Sequence, residues 1–234
     1  MAGDALRALA LLSALAPGAA SAQAFTLWGV QIEQLETRFG EDEEVLAWDG
    51  DAFVGTDELK LVFRSKAELE LDGGEFETLE HQLRLQRPIS DFFDAVLGVR
   101  LDTPDGGPDR VHGVVGVKGL APQWFEIDAD LYLSDHPSFR VEGEYEALIT
   151  NRVILVPSVE VDLPLNDDDA LGRGAFGPKV EVGARLSYDL IDRAVAPYVG
   201  VHYERVFGET ASIARRDGED RDALFFVVGA RLMF

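Results

Sequence analysis

Hydrophobic and polar residues alternate along most of the chain with a period of two. The clearest run covers residues 179–190, and similar runs cover 59–71, 124–133 and 139–147. In a β-strand, successive side chains point to opposite faces, so this pattern predicts strands that each carry one apolar and one charged face. Residues 59–71 are also rich in good helix formers, but their neighbours share the two-residue period, which favours a strand there.

Turn signals divide the alternating region into an even number of predicted strands. Gln34 and Glu36, in the first strand, stand where apolar residues are expected, which suggests a β-bulge. The twelve predicted strands span 26–39, 45–54, 58–70, 76–87, 91–102, 110–120, 123–134, 138–148, 152–163, 178–190, 196–206 and 222–234.

The connections between these strands alternate in length, and the longest are 104–109, 164–177 and 208–221. Short turns at one end and long loops at the other are typical of a bacterial outer-membrane barrel. A soluble β-sandwich would also alternate. The barrel is favoured because one face is charged on nearly every strand, and because Phe234 ends an alternating strand, an ending that resembles the insertion signal of such barrels. We therefore predict an all-β fold, a closed antiparallel transmembrane barrel.

The N-terminal residues have the features of a secretory signal peptide. Arg7 precedes an apolar run over 8–16, and the small-residue sequence Ala20-Ser21-Ala22 is typical of a signal-peptidase site. We expect residues 1–22 to be removed and residues 23–234 to form one outer-membrane barrel domain in a Gram-negative cell.

Composition excludes several classes of protein. The chain of 234 residues has 43 acidic and 21 basic residues, for a net charge of −22. Such a charge argues against a nucleic-acid partner. The absence of cysteine excludes disulfide scaffolds, thiol catalysis and cysteine-based metal centres. Beyond the first twenty or so residues, no apolar run approaches the ~18 residues of a transmembrane helix.

A search for catalytic residues gives little support for an enzyme. The histidines lie in neither a Gly-x-Ser-x-Gly nor a His-Glu-x-x-His setting. His81 is predicted to face lipid, and no serine stands near it in the sequence. Asp135 and His136 form a dipeptide in a short loop, which is more often a plain turn than a protease site. An outer-membrane hydrolase is therefore disfavoured, and no catalytic residue is assigned.

The candidate metal ligands are His202, Glu204 and His112, all predicted to face the lumen. Imidazole and carboxylate groups suit divalent copper or zinc. His202 and Glu204 are two residues apart on strand 11, so they share a face. His112, on strand 6, should lie across the lumen, too far away for a small shared site. The alternative is that these side chains only form a hydrogen-bonded network.

Other residues could complete a site at His202, depending on strand register. Strand 10 offers Glu181 or Asp189, and strand 12 offers Met233. With two methionines and no cysteine, a tight Cu(I) thioether site is not expected. We expect weak divalent binding centred on His202.

Several ordered segments resemble the copper resistance protein B family. They cover most of the chain from Leu27 to Phe234, and together they are more specific than any one of them. The segments are 34–38 (QLETR), 46–50 (LAWDG), 119–126 (GLAPQWFE), 144–155 (EYEALITNRVIL), 196–205 (APYVGVHYER), 207–211 (FGETA) and 218–220 (GED).

The resemblance implies an outer-membrane barrel in periplasmic copper resistance, in contact with lipid and copper ions and beside a periplasmic multicopper oxidase or copper carrier. Family members typically begin with a Met- and His-rich segment thought to bind copper. Here only residues 23–25 separate the predicted cleavage site from the first predicted strand, so copper capture by such a tail is not carried over. A non-catalytic barrel that binds or passes copper remains. The alternative is a small-solute channel or structural barrel without a metal role.

Overall fold

The computed structural model describes residues 26–41, 43–191 and 193–234, and it is almost entirely β-strand. The two-residue segment Ala147–Leu148 pairs with the same neighbour as the strand before it, so we count it as the end of β8. Each strand end lies within two residues of its predicted position. The strands are β1 (Leu27–Phe39), β2 (Glu44–Gly55), β3 (Lys60–Glu70), β4 (Phe76–Pro88), β5 (Phe93–Asp102), β6 (Arg110–Ala121), β7 (Phe125–Leu133), β8 (Ser138–Tyr145, continued by Ala147–Leu148), β9 (Val153–Pro164), β10 (Lys179–Tyr188), β11 (Val195–Val206) and β12 (Asp222–Met233).

The twelve strands form a closed antiparallel barrel. Each strand pairs with the next one in the chain, and β12 returns to pair with β1 from Gln31↔Met233 to Phe39↔Phe226. Closure satisfies the backbone hydrogen bonds that an open sheet would leave unpaired at its edges, which a lipid environment requires. The predicted fold is confirmed. The predicted signal peptide, residues 1–22, lies outside the described residues.

The irregularity predicted in β1 is a β-bulge. The register of β1 shifts after Ile32 against both of its neighbours, β2 and β12. Before the shift the exposed side chains are at even positions, such as Trp28 and Val30, and after it they are at odd positions, such as Leu35. The inserted residue therefore turns Glu36 into the lumen, where it is buried.

The outer face of the barrel is apolar and carries aromatic residues near both ends. Trp28, Trp124 and Phe234 are exposed at the end with the short turns, and Phe139 and Phe226 are exposed towards the other end. Such aromatic girdles mark the two membrane interfaces of outer-membrane barrels. By the same rule, the short-turn end is periplasmic and the long-loop end is extracellular.

Ion pairs cross the lumen and join opposite walls. Lys66 on β3 reaches Glu160 on β9 at 2.5 Å, six strands away in a barrel of twelve. Arg64 on β3 reaches Glu142 on β8 at 2.6 Å. We use the name arginine network for the connected and mostly buried set of Arg64, Arg84, Arg100 and Arg140 with Asp49, Glu80, Asp102, Asp128, Asp130, Glu142 and Asp162.

One long connection contains a helix that the two-residue period did not predict. Helix α1 (Gly208–Asp217) occupies most of the segment that we expected to be a loop over 208–221. Its buried Thr210 holds the neighbouring connection, because the hydroxyl donates to the Gly177 carbonyl at 2.6 Å and accepts from the Gly174 amide at 3.0 Å. Among the described residues, no helix is long and apolar enough to cross a membrane.

Candidate functional site

Three potential metal ligands meet in the lumen, on the hairpin formed by β10 and β11. The register places Glu181 directly opposite Glu204, and Gly183 opposite His202. The side chains of Glu181, His202 and Glu204 all point inward, because these positions lie on the lumen-facing side of the two strands. The sequence placed His202 and Glu204 on one face, and the register brings Glu181 of β10 to the same point.

The geometry of this cluster leaves an imidazole nitrogen available. His202 Nε2 lies 3.5 Å from Glu181 Oε2 and 3.9 Å from Glu204 Oε2. One ligand atom from each of the three residues lies within 4.8 Å of the others, close enough for a single cation to contact all three. His202 is 4% exposed, and its Nε2 makes no hydrogen bond with any described residue. This nitrogen is one of nine such buried atoms among the described residues, and what sets it apart is that two carboxylates lie within 4 Å of it.

A lysine ammonium already contacts both carboxylates of the cluster. Lys179 Nζ lies 3.1 Å from Glu181 Oε1 and 2.9 Å from Glu204 Oε2. Sequence reasoning did not include Lys179 in the site, although its position two residues before Glu181 placed it on the same face. We use the name lysine–histidine site for Lys179, Glu181, His202 and Glu204.

The lysine–histidine site lies between two cavities of the lumen. The inner cavity, with a volume of about 80 Å³, is lined in part by His202 and Glu181. The outer cavity, which we call the vestibule, has a volume of about 450 Å³ below α1 and is lined in part by Lys179, Glu181 and Glu204. Glu181 therefore borders both cavities, as do Lys66 and Glu160.

His112 faces the lumen as predicted but stands apart from this site. Its Nε2 lies 3.5 Å from Asp102 Oδ2. Asp102 is already bound by Arg100, whose Nε and Nη2 donate to its two oxygens at 2.6 and 2.8 Å. The structure thus brings His202 and Glu204 together and places His112 against the arginine network. This agrees with the expectation that it is too far away to share a small site.

The remaining candidates on strands 10 and 12 do not reach His202. Asp189 follows the end of β10, in the short turn, where its carboxylate accepts from the Arg193 amide. Met233 lies at the short-turn end of β12, whereas the residue of β12 opposite His202 is Phe225. The strand register, which the sequence left open, selects Glu181 as the neighbour of His202.

The histidines considered for catalysis have other surroundings. His81 lies on the outer face as predicted, with its ring stacked on Phe63 at a centroid distance of 5.8 Å. Ser65 stands opposite His81 in the register, an adjacency that sequence separation did not reveal. The Ser65 hydroxyl, however, accepts a hydrogen bond from the indole nitrogen of Trp48 at 3.0 Å.

His136 belongs to an anchored extracellular loop. Its Nδ1 lies 3.0 Å from the Asp167 carbonyl oxygen and 3.6 Å from the Asp168 carboxylate. Arg110 donates to both oxygens of Asp168 at 2.9 and 3.1 Å. Burial tends to raise the pKa of Asp168, but the hydrogen bonds and charge of Arg110 outweigh that effect and hold the pKa below its usual value.

Solved structures of outer-membrane porins have a similar fold. The NanC porin aligns with a TM-score of 0.55 at 12% identity, covering 88% of this chain and 99% of the porin chain. The KdgM porin aligns with a TM-score of 0.52 at 11% identity, covering 88% of this chain and 99% of that one. At such low identity the comparison shows the barrel fold alone.

Sequence comparison identifies the family. Residues 26–234 match the family described as copper resistance protein B precursor. Copper resistance protein B of Escherichia coli is 35% identical over 207 residues, 88% of this chain and 69% of its own length. A copper resistance protein B homolog of Pseudomonas syringae pv. tomato is 34% identical over 204 residues, 86% of this chain and 68% of its own. These matches confirm the resemblance seen in the sequence motifs and support a role in copper resistance: the chain is an outer-membrane barrel that belongs to the copper resistance protein B family.

Proposed function

We propose that this barrel contributes to copper resistance by binding divalent copper in its lumen and passing it between the vestibule and the inner cavity, without catalysing a reaction. The observation that carries the proposal is the group of Glu181, His202 and Glu204, with the unpartnered Nε2 of His202 directed at the two carboxylates. One imidazole and two carboxylates form a ligand set that suits Cu(II) better than Cu(I).

The position of the group supports transfer as well as binding. Glu204 borders the vestibule and His202 borders the inner cavity, while Glu181 borders both. A cation held by these residues therefore has space on two sides. The net charge of −22 raises the local concentration of cations near the protein, which favours entry.

Titration of Cu(II) into the purified barrel tests the site. We expect His202→Ala to bind Cu(II) about tenfold or more weakly than the wild-type barrel does, since the substitution removes the only nitrogen ligand of the group. The matched control is His112→Ala, which removes a lumen imidazole that lies against the arginine network and should leave copper binding unchanged. Equal affinities for wild type and His202→Ala would dispose of this site while leaving the family assignment intact.

A deletion strain tests the cellular role. We expect loss of the gene to increase sensitivity to copper but not to zinc, and the wild-type gene to restore resistance. Restoration by the His202→Ala gene to the full wild-type level would show that the lumen site is not needed. Unchanged copper tolerance in the deletion strain would favour a small-solute channel or structural barrel instead.

We also propose that residues 1–22 are removed on export, leaving residues 23–234 as the barrel domain. The support is the apolar run over 8–16 followed by Ala20-Ser21-Ala22. Mass spectrometry of the chain purified from outer membranes should give a mature N-terminus at Gln23. An intact Met1 would contradict the proposal.

We further propose that a periplasmic multicopper oxidase or copper carrier exchanges copper with the short-turn end of the barrel. The proposal rests on the family resemblance of the sequence. Crosslinking in intact cells, from a photoreactive residue in place of Phe92 in a short turn, should capture such a protein. The same substitution at Asp217, at the long-loop end, is the control that should not.

A further inference from the structure

The position of Lys179 suggests how ion binding is controlled in the lumen. Its ammonium contacts Glu181 and Glu204, the two carboxylates that would hold a metal ion. A cation bound between these carboxylates would take the place where the ammonium now lies, because two positive charges repel strongly at such short distances.

We propose that Lys179 is a tethered competitor cation, which occupies the copper position when the lumen is empty and has to move away when an ion binds. This inference rests on the proposed function, since it concerns control of the same site. It implies that the site binds and releases copper ions readily rather than storing them, because each ion that binds has to displace the ammonium of Lys179.

The surroundings of Lys179 allow this movement. It is the first residue of β10, and its side chain is 34% exposed, in contrast with the buried His202. It borders the vestibule, whose wall also contains Glu77, Glu219 and Asp220. A displaced ammonium therefore has both solvent and other carboxylates within the vestibule.

The lysine also explains why the cluster is stable without a metal. Glu181 and Glu204 stand directly opposite each other in the register, and like charges in such a position destabilise a sheet. The ammonium neutralises one of the two charges, while His202 Nε2 lies 3.5 Å from Glu181 without a hydrogen bond to any described residue. Competition at the carboxylates, with a free nitrogen close by, is the arrangement expected of a weak and reversible site.

The test measures Cu(II) affinity in three variants of the full-length barrel purified in detergent. We expect Lys179→Gln to bind Cu(II) about tenfold more tightly than wild type, because the competing charge is removed. Lys179→Arg keeps the charge and should bind no more tightly than wild type. Lys60→Gln is the matched control: Lys60 is also the first residue of its strand, is also 34% exposed, and pairs with Asp94 at the other end of the barrel. It should not change copper affinity.

The outcomes separate this inference from the proposed function. If His202→Ala abolishes copper binding but Lys179→Gln leaves it unchanged or weaker, the competition is refuted and the site stands. If Lys179→Gln binds copper and wild type does not, the competition is supported, and copper binding by the native lumen is refuted. Absence of binding in every variant, each shown to be folded by heat-modifiable gel mobility, refutes both.

Discussion

The arginine network and the lysine–histidine site lie in the same lumen and differ in the kind of cation that pairs with their carboxylates. In the network, Arg84 is 1% exposed and donates to Asp128 and Asp130 at 2.9 Å each. In the lysine–histidine site, the pairing cation is a half-buried lysine, Lys179. Both regions contain buried atoms without a hydrogen bond to a described residue, so the difference lies in the cation itself. Guanidinium groups form fixed, bidentate pairs, whereas an ammonium is a flexible point charge. The first arrangement holds the barrel together, and the second leaves room for a ligand.

The strongest test of this comparison removes a cation from each region. Arg84→Ala leaves two buried carboxylates without their main partner, and we expect it to lower the free energy of unfolding by about 3–5 kcal/mol. Lys179→Gln should lower it by less than ~1 kcal/mol, because the site is partly exposed. Urea unfolding of the barrel in detergent, followed by gel mobility, measures both. Similar losses in the two variants would remove the distinction between a structural network and a ligand site.

A charge placed on the opposite face of the same strand should also be costly. Val182 follows Glu181 but faces lipid, with 47% of its surface exposed on the outer wall. We expect Val182→Arg to cost about 2–4 kcal/mol in a bilayer. Glu181→Gln, which keeps the volume of a lumen side chain, is the control and should cost less. Equal costs would show that the assignment of faces on β10 is wrong.

The sequence predicted the strands well because hydrophobic and polar residues alternate with a period of two, which indicates directly which side chains face the lumen and which face lipid. It identified the irregularity at Gln34 and Glu36, and it placed His202 and Glu204 on one face. It did not give the register, so the choice between Glu181 and Asp189 had to wait for the structure. It also missed helix α1, where three apolar side chains at 211, 213 and 214 in ten residues gave too short a periodic signal.

A smaller effect is expected at the roof of the vestibule, where Thr210 connects α1 to the preceding long loop. Thr210→Val keeps the shape but removes a hydroxyl that serves the Gly174 amide and the Gly177 carbonyl. We expect a local loss of about 1–2 kcal/mol, seen as faster hydrogen exchange in α1. Ser212→Ala, on the exposed side of the same helix, is the control. Unchanged exchange in Thr210→Val would mean that α1 is held by its apolar contacts alone.

The smallest effect concerns the anchor of the loop before β10. Arg110 holds the pKa of Asp168 below its usual value of about 3.9. The carboxylate therefore stabilises the folded loop above that pH, and the contribution is lost as the pH falls through the lower, folded-state pKa. We expect limited proteolysis between residues 165 and 178 to stay slow from pH 7 to 4. Asp168→Asn should be cut faster throughout this range, and equal cutting rates would contradict the role of the pair.

The ion pairs that cross the lumen have a mechanical consequence. A hollow cylinder yields to sideways pressure by flattening, and struts across its diameter resist that change of shape. Lys66–Glu160 and Arg64–Glu142 are such struts, joining walls five or six strands apart. The cross-section should therefore stay constant under the lateral pressure of the bilayer. On the proposed route, an ion would have to exchange partners along the charged side chains, because the barrel would not widen to let it through.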